Sequence, residues 1–137
     1  MYGVTVSTFA LNFRIYYEDT DAGGIVYYVN YLKFMERART EFLRQYGYEQ
    51  AKLHEQNVMF VVHSATVEYK KPAKLDDRID VSVSLSEVKR TYLVFHQLVT
   101  LSETGERLCE AKVKVACVTF DSLKPQAIPR DLICKIA

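Results

Sequence analysis

The chain has 137 residues, 18 basic against 17 acidic, for a net charge of +1, and is 49% hydrophobic and 26% charged. This is the size and composition of one globular domain over residues 1–137, with no room for a second. A charge so nearly balanced supplies no global field toward nucleic acid or anionic membrane, so nucleic-acid binding is not expected and any phosphate binding must be local.

Residues 1–13 carry neither a basic leading region nor a long apolar run, so no signal peptide is expected. Every apolar stretch is too short to span a bilayer, which points to a cytoplasmic protein without membrane insertion. Residues 11–17 read as a first strand, with Leu11, Phe13 and Ile15 on one face. The run Glu18-Asp19-Thr20-Asp21-Ala22-Gly23-Gly24 then breaks the pattern with turn residues. A long helix follows, at about 29–46: Tyr31, Phe34, Met35, Ala38, Phe42 and Tyr46 recur at three- and four-residue spacing while charged residues fill the other face. Asn30 is the predicted N-cap and Gly47 the predicted stop.

Residues 48–56 read as irregular, and the remainder as strand. Residues 59–69 are rich in Val and aromatics; Ile79, Val81, Val83 and Leu85 alternate with polar residues at a period of two; residues 92–101 follow. Glu103-Thr104-Gly105-Glu106 marks a hairpin before a last strand at 108–120, and Pro129 opens a short final helix. Cys109 and Cys117 fall on that last strand, about 26 Å apart at ~3.3 Å per residue, far beyond the ~6 Å a disulfide bridges. No Cys/His spacing suggests zinc or redox work, and all three cysteines are expected as small buried hydrophobes. His54 is expected at the surface, His63 and His96 packed within strands. One helix covers only part of such a sheet, so an oligomer is expected on physical grounds.

The chemistry concentrates between Tyr16 and Tyr31, where five of the ten tyrosines surround three carboxylates and two adjacent glycines. Paired glycines let backbone approach a ligand closely, and the following helix presents unpaired N–H groups and a positive dipole end. A carboxylate facing that end is arranged to attack a carbonyl, or activate water toward it, while the oxyanion settles on the N–H groups. Taken singly, Asp21 equally suits an Asx turn or cap, and Glu18 and Asp19 suit solvated or capping roles. A calcium loop is the sharper rival, because Asp19, Asp21 and Gly24 sit at its first, third and sixth places. It fails at the fifth place, Gly23, and at the twelfth, Asn30, where a bidentate Glu is required.

The run Tyr17-Glu18-Asp19-Thr20-Asp21-Ala22-Gly23-Gly24-Ile25-Val26-Tyr27-Tyr28, with Asn30-Tyr31 and Phe34-Met35-Glu36-Arg37-Ala38-Arg39, resembles the signature of the 4-hydroxybenzoyl-CoA thioesterase family. It is most similar to the short bacterial acyl-CoA thioesterase branch encoded beside the Tol-Pal envelope system, and Val67-Glu68-Tyr69, Pro72-Ala73 and Leu75-Asp76-Asp77 extend the likeness. The resemblance implies an α+β hotdog fold: a sheet of about five antiparallel strands wrapped around one long helix, in dimers joined edge to edge or in tetramers. It implies Asp21 as the catalytic carboxylate and the Tyr28 backbone N–H as the group polarising the thioester carbonyl. Gly24 and Tyr31 fall at the substrate, and Lys89-Arg90-Thr91 at the turn where the family holds CoA phosphates. Many members of the Tol-Pal branch carry His where this chain has Tyr28, a change that a backbone role survives.

The function expected is hydrolysis of an acyl-CoA to acid and CoA without metal or other cofactor. One rival is a hotdog dehydratase, whose family uses a His near the helix; no His lies before His54. The other is a non-catalytic scaffold for acyl-CoA or acyl carrier protein among phospholipid-synthesis enzymes.

Overall fold

The structure, a computed structural model, describes residues 9–136; most of the segment read above as lacking a signal peptide lies outside them. Strand β1 (Phe9–Arg14) leads through one turn of 3-10 helix (Tyr17–Asp19) to helix α1 (Asn30–Arg44). After α2 (Gln50–Glu55) come β2 (Met59–Tyr69), β3 (Arg78–Val88), β4 (Tyr92–Leu101) and β5 (Arg107–Val118), then α3 (Arg130–Ile136). The strands form one antiparallel sheet in the order β1-β3-β4-β5-β2.

The period-two pattern of β3 and β4 sends Ile79, Val81, Val83, Leu93, Phe95 and Val99 to one buried face. The apolar stripe of α1 packs on that face: Phe34 meets Phe13 at 5.0 Å between ring centroids, and Phe42 meets Phe95 edge-on at 5.9 Å. Gln97, wholly buried on β4, donates to the Met35 carbonyl at 3.0 Å and accepts from Arg39 at 2.8 Å, which satisfies the one fully enclosed amide. Bulges beside His63 in β2 and Ser86 in β3 bend the sheet around the helix.

Gly47 adopts φ +89°, and the Tyr48 N–H closes on the Leu43 carbonyl at 3.2 Å, the helix stop expected of that glycine. Gly105 (φ +75°) turns the predicted hairpin. Four expectations need correction. The first strand ends at Arg14, not residue 17, because Asp19 captures the Tyr16 N–H and starts a turn. Residues 50–55 are helical, a six-residue element that buries only Leu53 and so shows no period. Val29, not Asn30, is the N-cap of α1; it has no side-chain cap, and the Asn30 amide instead donates to the Asp19 carbonyl at 2.9 Å. Cys109 and Cys117 are buried, with thiols pushed up to about 11 by desolvation, but Cys134 is exposed on α3.

Strands β1 and β2 are the edges of the sheet. The outer side of β2 has no strand beside it among the described residues, and its Val62 is 53% exposed. No described helix is long and apolar enough to cross a membrane.

Candidate active site

The turn residues between β1 and α1 fold into a small hairpin. Thr20 bridges Val26, and the Tyr27 N–H donates to the Asp19 carbonyl at 3.1 Å. Asp21 lies in its bend, with its N–H on the Ile25 carbonyl at 2.9 Å and its own carbonyl accepting from Gly24 at 3.0 Å. The Asp21 Oδ1 accepts from the Gly23 N–H at 2.9 Å, an Asx turn. Oδ2 has no partner among the described residues, and the side chain is exposed. Gly24 takes φ +79°, open to glycine at little cost. Asp19 is occupied as a local cap and Glu18 stays exposed, as expected of both.

Three fastenings hold this hairpin in place. Val26 donates to the Ala73 carbonyl at 2.9 Å, Leu75 donates to the Gly24 carbonyl at 3.1 Å, and Ile25 bridges Lys74. The Asn30 amide, bonded to Asp19, ties the same unit to the first turn of α1. In that turn Asn30, Tyr31 and Leu32 donate to the Tyr27, Tyr28 and Val29 carbonyls. The N–H groups of Tyr28 and Val29 have no partner among the described residues, so orphan donors stand at the positive end of the helix.

Beside the hairpin opens a cleft of ≈ 250 Å³ lined by Ile25, Val26, Tyr28, Tyr31, Tyr69 and Lys70, among others. Tyr69 meets Tyr28 edge-on at 5.7 Å and Tyr31 at 5.8 Å. Tyr31 is 3% exposed, and its hydroxyl accepts from the Ala73 N–H at 2.8 Å. Burial raises the pKa of both Tyr31 and Tyr69, against the lowering effect of the Ala73 bond on Tyr31. Their phenols are neutral at pH 7, and the walls are apolar with polar rims. Of the clustered tyrosines, Tyr31 alone is core; Tyr28 is 57% exposed, and Tyr16, Tyr17 and Tyr27 are also exposed.

The family profile described as the thioesterase-like superfamily matches residues 16–136, from the start of this hairpin to the end of α3. The chain belongs to that superfamily. Acyl-CoA thioester hydrolase YbgC of Escherichia coli O6:H1 is 44% identical over 122 residues, 89% of this chain and 90% of that protein. Acyl-CoA thioesterase YbgC of Haemophilus influenzae is 46% identical over 125 residues, 90% of each. The crystal structure of a probable thioesterase from Bartonella henselae superposes with a TM-score of 0.83 at 30% identity, over 90% of this chain and all of that one. This thioesterase-like enzyme therefore has the hotdog fold, with α1 as its central helix.

Within one protomer of the thioesterase-like chain, Asp21, Gly24, Tyr28 and Tyr31 come together, but Lys89, Arg90 and Thr91 do not join them. They form the turn after β3, whose first residue follows the Ala73–Asp77 segment; Val88, at the other end, lies about 33 Å away at ~3.3 Å per residue. Lys70 and Lys71, which the sequence reading passed over, line the cleft instead. The signal available for them was a Lys-Lys-Pro break directly after the aromatic end of β2. The histidines stand apart: His54 stacks on Phe120 at 4.5 Å, exposed His63 occupies the β2 bulge, and His96 Nε2 lies 2.6 Å from Glu110 Oε2.

Proposed function

We propose that the chain hydrolyses an acyl-CoA thioester to the free acid and CoA, with Asp21 as the reactive carboxylate and the Tyr28 N–H as donor to the thioester oxygen. The observation that carries this reading is the pairing of a carboxylate held by one oxygen with an unengaged backbone donor at a helix start. With Oδ1 tied to Gly23, Oδ2 is free either to attack the carbonyl carbon or to take a proton from an attacking water. By attack, the tetrahedral adduct expels the CoA thiolate and leaves an acyl anhydride that water hydrolyses; by base catalysis, water adds directly and CoA leaves in the same way. On either route the carbonyl oxygen gains negative charge, and a preorganised N–H there is worth about 3–4 kcal/mol. Gly24 keeps side-chain bulk away from the acyl carbon, and Tyr31 forms the floor of the cleft.

The names of the YbgC relatives support a CoA ester as the substrate. A second copy pairing along β2 completes the account: it covers the exposed edge, makes a dimer that further pairing turns into a tetramer, and offers Lys89, Arg90 and Thr91 a route to a neighbouring site. No metal enters the proposed chemistry. The test is a thioesterase assay over acyl groups of varied length and aromaticity, each on CoA and on acyl carrier protein. Thiol release from at least one CoA ester is expected; binding of the whole panel without hydrolysis contradicts the proposal and favours a carrier scaffold.

A further inference from the structure

Resting on that reading, we propose that Lys70 and Lys71 of the same protomer bind the phosphates of the CoA carrier at the mouth of the tyrosine cleft. Both line the cleft beside Tyr28, Tyr31 and Tyr69. Backbone fixes where they stand: β2 ends at Tyr69, both lysine N–H groups donate to the Leu108 carbonyl at 2.8 and 3.2 Å, and Pro72 cannot continue the ladder. Immediately afterwards Ala73 and Lys74 are fastened to Val26 and Ile25, so the lysine wall and the Asp21 hairpin form one unit.

Size decides what stays outside. At ≈ 250 Å³ the cleft is smaller than the roughly 300–1,000 Å³ of pockets that bury a whole drug-sized ligand. A thioester and part of its arm fit, and the polyanionic end of the carrier must cross the mouth, where both lysine side chains are exposed. Each already has a carboxylate: Lys71 pairs with Glu106, and Lys70 Nζ lies 3.7 Å from Glu110 Oε1. Exposed pairs of this kind contribute about 0–1 kcal/mol, so a phosphate carrying more charge displaces them. Glu110 keeps a partner when Lys70 leaves, because His96 stays within 2.6 Å. Lys74 and Arg107 flank the same segment, which leaves four cations against two carboxylates and a local surplus in a chain whose net charge is only +1. Local surplus is what a phosphate requires here.

Steady-state kinetics of Lys70→Ala/Lys71→Ala test this, on an acyl-CoA and on the matching acyl-N-acetylcysteamine thioester, beside Lys89→Ala/Arg90→Ala. The expected result is a KM for the CoA ester raised about tenfold at unchanged kcat, with the truncated thioester unaffected. Added salt should raise KM more in the wild type than in the variant, and Lys70→Arg/Lys71→Arg should keep most of the affinity. Equal effects on both substrates, or an unmoved KM for the CoA ester, overturn the proposal. If the wild type hydrolyses no CoA ester, equilibrium binding of CoA itself separates the two ideas. Weaker binding by the double-alanine variant keeps the phosphate site while the hydrolytic reading fails; equal binding, or none by either protein, overturns the site.

Discussion

The Tyr31 hydroxyl accepts a hydrogen bond from the Ala73 N–H at 2.8 Å inside the core, joining the first turn of α1 to the segment that fastens the Asp21 hairpin. Tyr31→Phe removes the acceptor and leaves a buried donor unpaired, at a cost of about 1–3 kcal/mol. Urea denaturation should show that loss, with KM little changed because the hydroxyl points at Ala73 and not into the cleft. A variant as stable as wild type contradicts the role given to this bond.

Gly24 carries the hairpin through φ +79°, and a Cβ there meets nothing within 4 Å. The cost of Gly24→Ala is therefore conformational, about 1–2 kcal/mol, and not steric. Gly24→Asn, which tolerates left-handed backbone better, should recover part of it in the same thermal melts. Equal losses for both variants would point to crowding instead.

Exposed Val62 on the unpaired side of β2 invites a second copy. Light scattering should find the wild type a dimer or tetramer at micromolar concentration. Val62→Lys, setting like charges against each other across a two-fold strand pair, should shift it toward monomer. A wild-type monomer contradicts the proposed assembly.

Much of this was legible in the sequence because local chemistry and tertiary structure agree. The bounds of β2 and β4 follow from runs of β-branched and aromatic residues, and Gly47 and Pro129 mark a helix end and a helix start. The motif from Tyr17 to Tyr31 identified the hairpin, and Asp21 proved to be the Asx turn that its spacing suggested, with one oxygen left free. Failures came where one long-range or side-chain contact outweighs pattern. Asp19 ends β1 by capturing a backbone N–H, and α2 buries too little to show a period. The distance of Lys89 from Asp21, and the nearness of Lys70, depend on which end of β3 each turn occupies, which composition does not encode.

The central claim rests on Asp21, and Asp21→Asn tests it most directly. Asparagine keeps the shape and an oxygen to accept from Gly23, but removes the charge needed for attack or proton removal. Loss of general-base catalysis alone is worth about 10²–10⁴ in rate. The account predicts a fall in kcat of at least about a hundredfold on a CoA ester that the wild type turns over, with KM little altered. Asp19→Asn and Glu18→Gln, at a cap and an exposed position, should cost far less. An Asp21→Asn enzyme that retains more than about a tenth of the wild-type kcat, a loss below the weakest general-base effect, would contradict the claim and reduce Asp21 to a turn residue.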